Sequence, residues 1–222
     1  MRIFVITLNR YDCRWAKYNK NYELFMGVDG YKIKEDNEYF KKIRNRYNIK
    51  PKQKQNIVGC FLSHLKVMEY IVENKLNEIL IIEDDAVVDF KLLNKINLDE
   101  LQQDKMTYFG GIIRGLTLKK DFNYERVVED IFEGLNTIDS SKYKIGATHG
   151  YYFPKWEVAE QVITYLKNKP VLKAIDGEFD LLQREGKLID SFIFPAISYL
   201  NLAEAKKGFS AKYGIPRNMK YY

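Results

Sequence analysis

Residues 78–88 read EILIIEDDAVV, an apolar run that ends without transition in three acids. Residues 79–82 have the pattern of a fully buried strand, which places the chain among proteins whose sheets are covered on both faces. In open α/β sheets ligands bind beyond the carboxyl ends of the strands, where Glu83, Asp84 and Asp85 stand. Three adjacent carboxylates repel one another unless a cation or strong donors sit between them, and hard oxygen ligands suit Mg²⁺ or Mn²⁺. Strand positions i and i+2 share a face, so Glu83 and Asp85 point together and Asp84 points away. A solvated strand exit is the plain alternative.

The surrounding sequence alternates strands with helices. Residues 2–8 form an apolar, β-branched strand, residues 12–25 carry apolar and aromatic side chains at helix-compatible spacing, and GVDG at 27–30 is a turn. Asn56 is placed to cap a helix to residue 74, along which Ile57, Phe61, Leu65, Met68 and Val72 recur at three- and four-residue steps. Further strands are predicted at 106–109, ended by Gly110 and Gly111, at 144–153, and at 188–194, stopped by Pro195. Pro154 opens a helix to residue 166, and residues 176–184 form a short one. This order predicts the α/β class: one domain over residues 1–200 with a mainly parallel central sheet, followed by a basic C-terminal tail, residues 201–222, packed on it or extending from it. A chain of 222 residues, 46% of them hydrophobic, can bury such a core, which excludes disorder and a disulfide scaffold. Cys13 and Cys60 lack metal-ligand spacing and read as reduced thiols, Cys60 as a core residue.

The net charge of +6 is unevenly spread. Residues 41–54 and 205–222 contain twelve basic side chains and no acid, so the rest of the chain sums to −6. The basic segments would suit a polyanion, an anionic membrane surface or a phosphate-bearing substrate, or simply a solvated lysine-rich surface. No stretch approaches the roughly 18 apolar residues of a membrane span. The opening MRIFVITLNR reads as a strand rather than a signal peptide, so a cytoplasmic protein, peripheral at a membrane surface at most, is expected.

Three segments carry a resemblance: VITLNRYDCRW at 5–15, VGCFLSHLKVMEYIVE at 58–73 and LIIEDDAVV at 80–88. In order and spacing they resemble glycosyltransferase family 25, the lipooligosaccharide-type sugar transferases that also include collagen galactosyltransferase domains. TYFGG at 107–111, GATHGYYFPKWEVA at 146–159 and AIDGEFD at 174–180 resemble later segments of that family, and coverage extends to about residue 195. Departures occur at Thr7, where many members carry Asn, at Asn56 and Val58, and at Ala174, where a Pro precedes the family's Val-Asp; none removes a motif acid. The resemblance implies an A-type, Rossmann-like glycosyltransferase fold, a nucleotide-sugar donor, in the first instance a UDP-sugar, and usually inversion at the anomeric carbon.

Glycosyl transfer needs a diphosphate to depart, and a divalent ion, Mn²⁺ or Mg²⁺, held by Asp85 with Glu83 helping would suit that task. On the donor side stand Thr7, Leu8, Asn9, Arg10 and Arg14, the two arginines for the diphosphate or the nucleotide's polar edge, and Asp84 for the ribose or a bound water. Arg10 and Arg14 would equally make a surface pair on an exposed helix. Ser63, His64, His149 and Tyr151 are candidates to contact acceptor or sugar, with a packing role as the alternative for the tyrosine and the histidine of the helix. An inverting transfer also needs a base opposite the leaving group, for which Asp176 is the candidate, with Glu178, Asp180 and His149 as competitors and a simple helix cap as its alternative role. The expected activity is hexosyl transfer, of galactose or glucose, to a saccharide or glycoprotein acceptor. The competing class is a catalytically silent basic protein of the same fold that engages glycan, membrane or nucleic acid, and for nucleic acid the retained acids and paired arginines argue against it.

Overall fold

Strand β1 (Arg2–Thr7) is flanked by parallel β2 (Glu23–Met26) and parallel β3 (Ile79–Glu83), so the carboxyl ends of β1 and β3 lie side by side. A computed structural model describes residues 1–8, 22–43, 50–115, 131–194 and 196–200. Asn9, Arg10, Cys13, Arg14 and the basic tail 201–222 lie outside the described residues. The remaining strands are β4 (Ala86–Val88), β5 (Met106–Gly115), β6 (Gly134–Thr137), β7 (Tyr143–Phe153), β8 (Ile189–Phe194) and β9 (Ser198–Leu200). They form one sheet in the order β2-β1-β3-β7-β5-β8-β6, with β9 pairing to both β4 and β5.

The expectation of a mainly parallel sheet is corrected by the pairing. β7 runs antiparallel to both β3 and β5, and β6 antiparallel to β8, so the sheet is mixed. Local patterning marks a strand as buried on both faces but does not specify its neighbour's direction, and β7 enters between β3 and β5 from far along the chain. The α/β class itself holds. In β3, Ile79 and Ile81 join the core beneath the helices while Leu80 and Ile82 join the core on the opposite face, all four fully buried. That two-sided burial is why the strand shows no polar alternation.

Among the described residues five α-helices accompany the sheet: α1 (Glu38–Lys42), α2 (Pro51–Glu73), α3 (Phe90–Leu93), α4 (Trp156–Asn168) and α5 (Ile175–Glu185). The long helix begins five residues before the expected cap, because Pro51 stands at its first position and Gln53 accepts a hydrogen bond from the Lys50 backbone, so Asn56 lies inside it. Residues 23–26 are strand rather than the end of a helix. The buried face of α2 carries Val58, Phe61, Leu65, Met68 and Ile71 against the sheet. Gly59 allows the close approach of the preceding loop: a Cβ there would lie 2.7 Å from the backbone nitrogen of Gly30. Helix α5 is fastened to β7 by Gln183, whose side chain accepts from Ile145 N at 2.8 Å and donates to Ile145 O at 2.7 Å. It ends at Gly186, whose positive φ of 63° suits a residue without Cβ.

Candidate active site

The acids after β3 fall at the expected sheet edge. Asp84 and Asp85 form the turn into β4, and the Asp84 amide donates to Ile6 O at 3.1 Å, which ties this turn to the end of β1. Thr7, the last residue of β1, is buried, whereas Leu8 beyond it is 57% exposed. Candidate donor-side residues Asn9, Arg10 and Arg14 continue from there outside the described residues.

Glu83 is the most tightly held of the acids. His64 Nε2 lies 3.0 Å from its Oε1, and the Thr148 hydroxyl donates to the same oxygen at 2.5 Å. Its side chain keeps 23% of its surface exposed, and among the described residues no hydrogen bond reaches Oε2. Burial pushes the carboxyl toward protonation, but the hydrogen bond and charge of His64, the charge of His149 and the Thr148 hydroxyl outweigh it and hold the group at about 2. Glu83 is therefore a fixed anion with both of these hydrogen bonds on one oxygen. The repulsion expected among the three acids is relieved at Glu83 by protein donors.

Behind His64 stands Tyr151, whose hydroxyl is 2.7 Å from Nδ1. Tyr151 is fully buried and packs edge-on against Phe179 of α5, with ring centroids 5.3 Å apart. Ser63 is also buried; its hydroxyl donates to Gly59 O at 2.7 Å and accepts from Val28 N at 2.8 Å. Ser63, His64 and Tyr151, expected as acceptor or sugar contacts, are buried and have hydrogen-bond partners within the protein. His64 orients Glu83, with Tyr151 supporting it. His149, 6% exposed, lies close enough for its charge to act on Glu83.

Thr148 and His149 reach this edge through a break in register. Gly110 of β5 opposes Gly150 of β7, and Ile112 opposes Gly146, so three residues of β7 face Gly111 alone. Ala147 in this bulge has a φ of 67°, strained for a residue with a Cβ. Gly110 and Gly150 leave room for Ser198, whose hydroxyl donates to His149 O at 2.6 Å and closes the bulge from β9.

Asp176 stands in the first turn of α5. Helix numbering corrects its suggested role as cap: Ala174 is the N-cap, and Asp176 is the second helical residue. It is half-buried and, among the described residues, makes no hydrogen bond or ion pair. Its competitors in the same segment are structurally bound. Glu178 is wholly buried, paired with Lys169 at 2.5 Å and accepting from Lys173 N at 2.6 Å, and Asp180 is buried against Lys144 at 2.7 Å.

Cys60 links these acids. It is exposed, not a core residue as the sequence suggested, and stands one helical turn before His64. Local protein mass pushes its thiol well above the ordinary value, and the charges of Glu83, Asp176 and Asp85 add to the shift. The acids at the end of β3 and Asp176 of α5 thus all act on one sulfur in the same direction. Sequence reasoning missed Cys60 because only its four-residue offset from His64 points to a shared helix face.

The family model described as glycosyltransferase family 25 (LPS biosynthesis protein) matches residues 1–177. That span takes in Cys60, His64, the acids at 83–85, His149 and Asp176. No individual curated protein matches the chain.

Proposed function

This chain belongs to glycosyltransferase family 25 and is a glycosyltransferase, and we propose that it transfers a hexosyl group, galactose or glucose, from a UDP-sugar to a saccharide or glycoprotein acceptor with inversion. The observation that carries this reading is the end of β3, where Glu83, held by His64 and Thr148, is followed at once by Asp84 and Asp85 beside the end of β1. Inverting transfer calls for a carboxylate held apart from those on the leaving-group side, and Asp176 arrives on a different element from these acids.

The acids of the strand end fit a hard divalent ion, Mn²⁺ or Mg²⁺. Glu83 is ionised and keeps Oε2 open, and Asp85, two residues on, contributes a second carboxylate. When bound there, such an ion would neutralise charge growing on the departing diphosphate. The protein's own groups do the rest. Arg10 and Arg14 bind the diphosphate, Asp84 orients the ribose or a water, and Thr7, Leu8 and Asn9 line the donor side. Asp176 accepts the proton of the acceptor hydroxyl as its oxygen attacks. His149 serves the acceptor side. Among the described residues no helix is long and apolar enough to cross a membrane.

A donor screen tests this reading. Nucleotide sugars are incubated with the protein with and without Mn²⁺, and release of nucleotide diphosphate is followed. One UDP-hexose should be consumed in a Mn²⁺-dependent manner, and Asp85→Asn should slow that by at least 10²-fold, since such a clamp supplies several kcal/mol. Near-normal, Mn²⁺-responsive turnover in Asp85→Asn would remove the acid from this role.

A further inference from the structure

Cys60, His64 and Glu83 bring one sulfur, one imidazole nitrogen and one carboxylate oxygen within 4.8 Å of one another. We propose that these three side chains form a binding site for Zn²⁺ or an ion of similar softness, distinct in ligand chemistry from the hard-cation role of the acids at 83–85.

Ligand type favours this assignment. Thiolate and imidazole select Zn²⁺ over Mg²⁺ and Mn²⁺, and three protein ligands leave a fourth position for water, as in open zinc sites. The spacing is provided by rigid elements: Cys60 and His64 lie four residues apart on the 23-residue helix α2, and Glu83 ends the buried strand β3. Cys60 is exposed, so an ion has an entry path from solvent.

Supporting contacts are already in place behind two of the ligands. Metal-bound histidines present one nitrogen to the ion and use the other in a hydrogen bond that fixes the ring. His64 has that partner in the Tyr151 hydroxyl, 2.7 Å from Nδ1, while Nε2 faces Glu83. The Thr148 hydroxyl in turn fixes Glu83. On binding, the thiol proton and the Nε2 proton that His64 shares with Glu83 both leave to solvent, Nε2 turns its lone pair to the ion, and the remaining imidazole proton stays on Nδ1, donated to the Tyr151 oxygen. Asp85 and Asp176, whose charges act on Cys60, add negative potential that favours a dication.

Sharing Glu83 has a consequence. Zn²⁺ on this site and a hard ion on Glu83 and Asp85 would exclude each other, which makes the hard-ion site sensitive to zinc.

Metal binding is measured on the full chain with the metals alone. In a Cys13→Ser background Cys60 is the single thiol, because the chain has two cysteines. Co²⁺, as a spectroscopic stand-in for Zn²⁺, should give a thiolate-to-metal charge-transfer band, titrating to one equivalent and abolished by Zn²⁺ but not by excess Mg²⁺. Adding Cys60→Ser should remove the band and weaken Zn²⁺ binding, read by chelator competition, by more than about 100-fold. Circular dichroism confirms that this variant is folded, as expected for an exposed position. A missing band in the Cys13→Ser protein overturns the site. So does unchanged Zn²⁺ affinity on removal of the Cys60 thiol, and weakening by Asp85→Asn alone would place the ion on the strand-end acids instead. None of these readouts depends on sugar transfer.

Discussion

Replacing Asp176 by Asn separates chemistry from stability. Because Ala174 is the cap and Asp176 makes no hydrogen bond or ion pair among the described residues, the substitution removes a charge without breaking a contact. The expected stability loss is limited to the interaction of one carboxylate with the amino end of α5, about 0.3–1 kcal/mol. For a chain of this length that lowers Tm by no more than about 4 °C. The rate effect is far larger: loss of a general base costs about 10²- to 10⁴-fold, equivalent to about 3–5.5 kcal/mol in the transition state. Donor affinity should be unchanged, since the carboxylate acts on the acceptor. The assay compares Asp176→Asn and Asp176→Ala for melting temperature, UDP affinity by calorimetry and single-turnover transfer. Both variants should melt near the parent, bind UDP normally and fail in transfer. Transfer within about threefold of the parent, or a large fall in melting temperature for Ala with normal transfer for Asn, would refute the assignment.

Other perturbations test the framework. The Glu83 carboxyl sits at about 2 in the fold against an ordinary 4.5, so its contribution to stability is complete above pH 4.5 and is lost as pH falls through 2; on the order of 2–3 kcal/mol is at stake, and denaturant melts at pH 7 and pH 3 should show a smaller drop in Glu83→Gln than in the parent. Gly59→Ala places a methyl group 2.7 Å from the Gly30 backbone and should destabilise by about 1–3 kcal/mol in urea unfolding, with unchanged stability showing that the loop yields freely. Lys169→Met strands the buried Glu178 with only a backbone donor and should cost about 3–5 kcal/mol, much of it recovered by adding Glu178→Gln; equal losses in the single and double variants would mean the charge is not the cause. Double substitution of Arg10 and Arg14 to Ala should weaken UDP binding in calorimetry while leaving polyanion binding intact.

The strand at 79–83 and the acids that follow it were legible because both depend on local composition, apolar residues for two-sided burial and carboxylates at a strand exit. Helix α2 was legible from its apolar spacing, although its start at Pro51 was not, since Asn56 carries a capping side chain yet lies mid-helix. Sheet direction was illegible for a different reason: β7 pairs with β3 across some 70 residues, and no local pattern encodes whether such a partner runs up or down. The burial of Ser63, His64 and Tyr151 was not legible either. Each has a residue type that could touch a sugar, and the tertiary contact between His64 and Tyr151, 87 residues apart, turns both inward. Asp176 was singled out by its segment, and its alternative role as a cap fails because the capping position falls on Ala174, which offers no side-chain acceptor.

The hydrogen bonds around Glu83 also set an order of assembly. His64 is 19 residues from Glu83, whereas Thr148 is 65 residues away and arrives on β7. Closing a long loop is slower than joining neighbours, so the His64 contact can form while β7 is still being recruited. Helical signal from α2 would then return early in refolding, and catalytic competence would return only when β7 slots between β3 and β5 with its bulge in register. A nascent chain that has not yet emerged past residue 148 carries the acids but not the hydroxyl that steadies them. Refolding followed at once by far-ultraviolet circular dichroism and by recovery of turnover should therefore show two separated phases, with turnover the later.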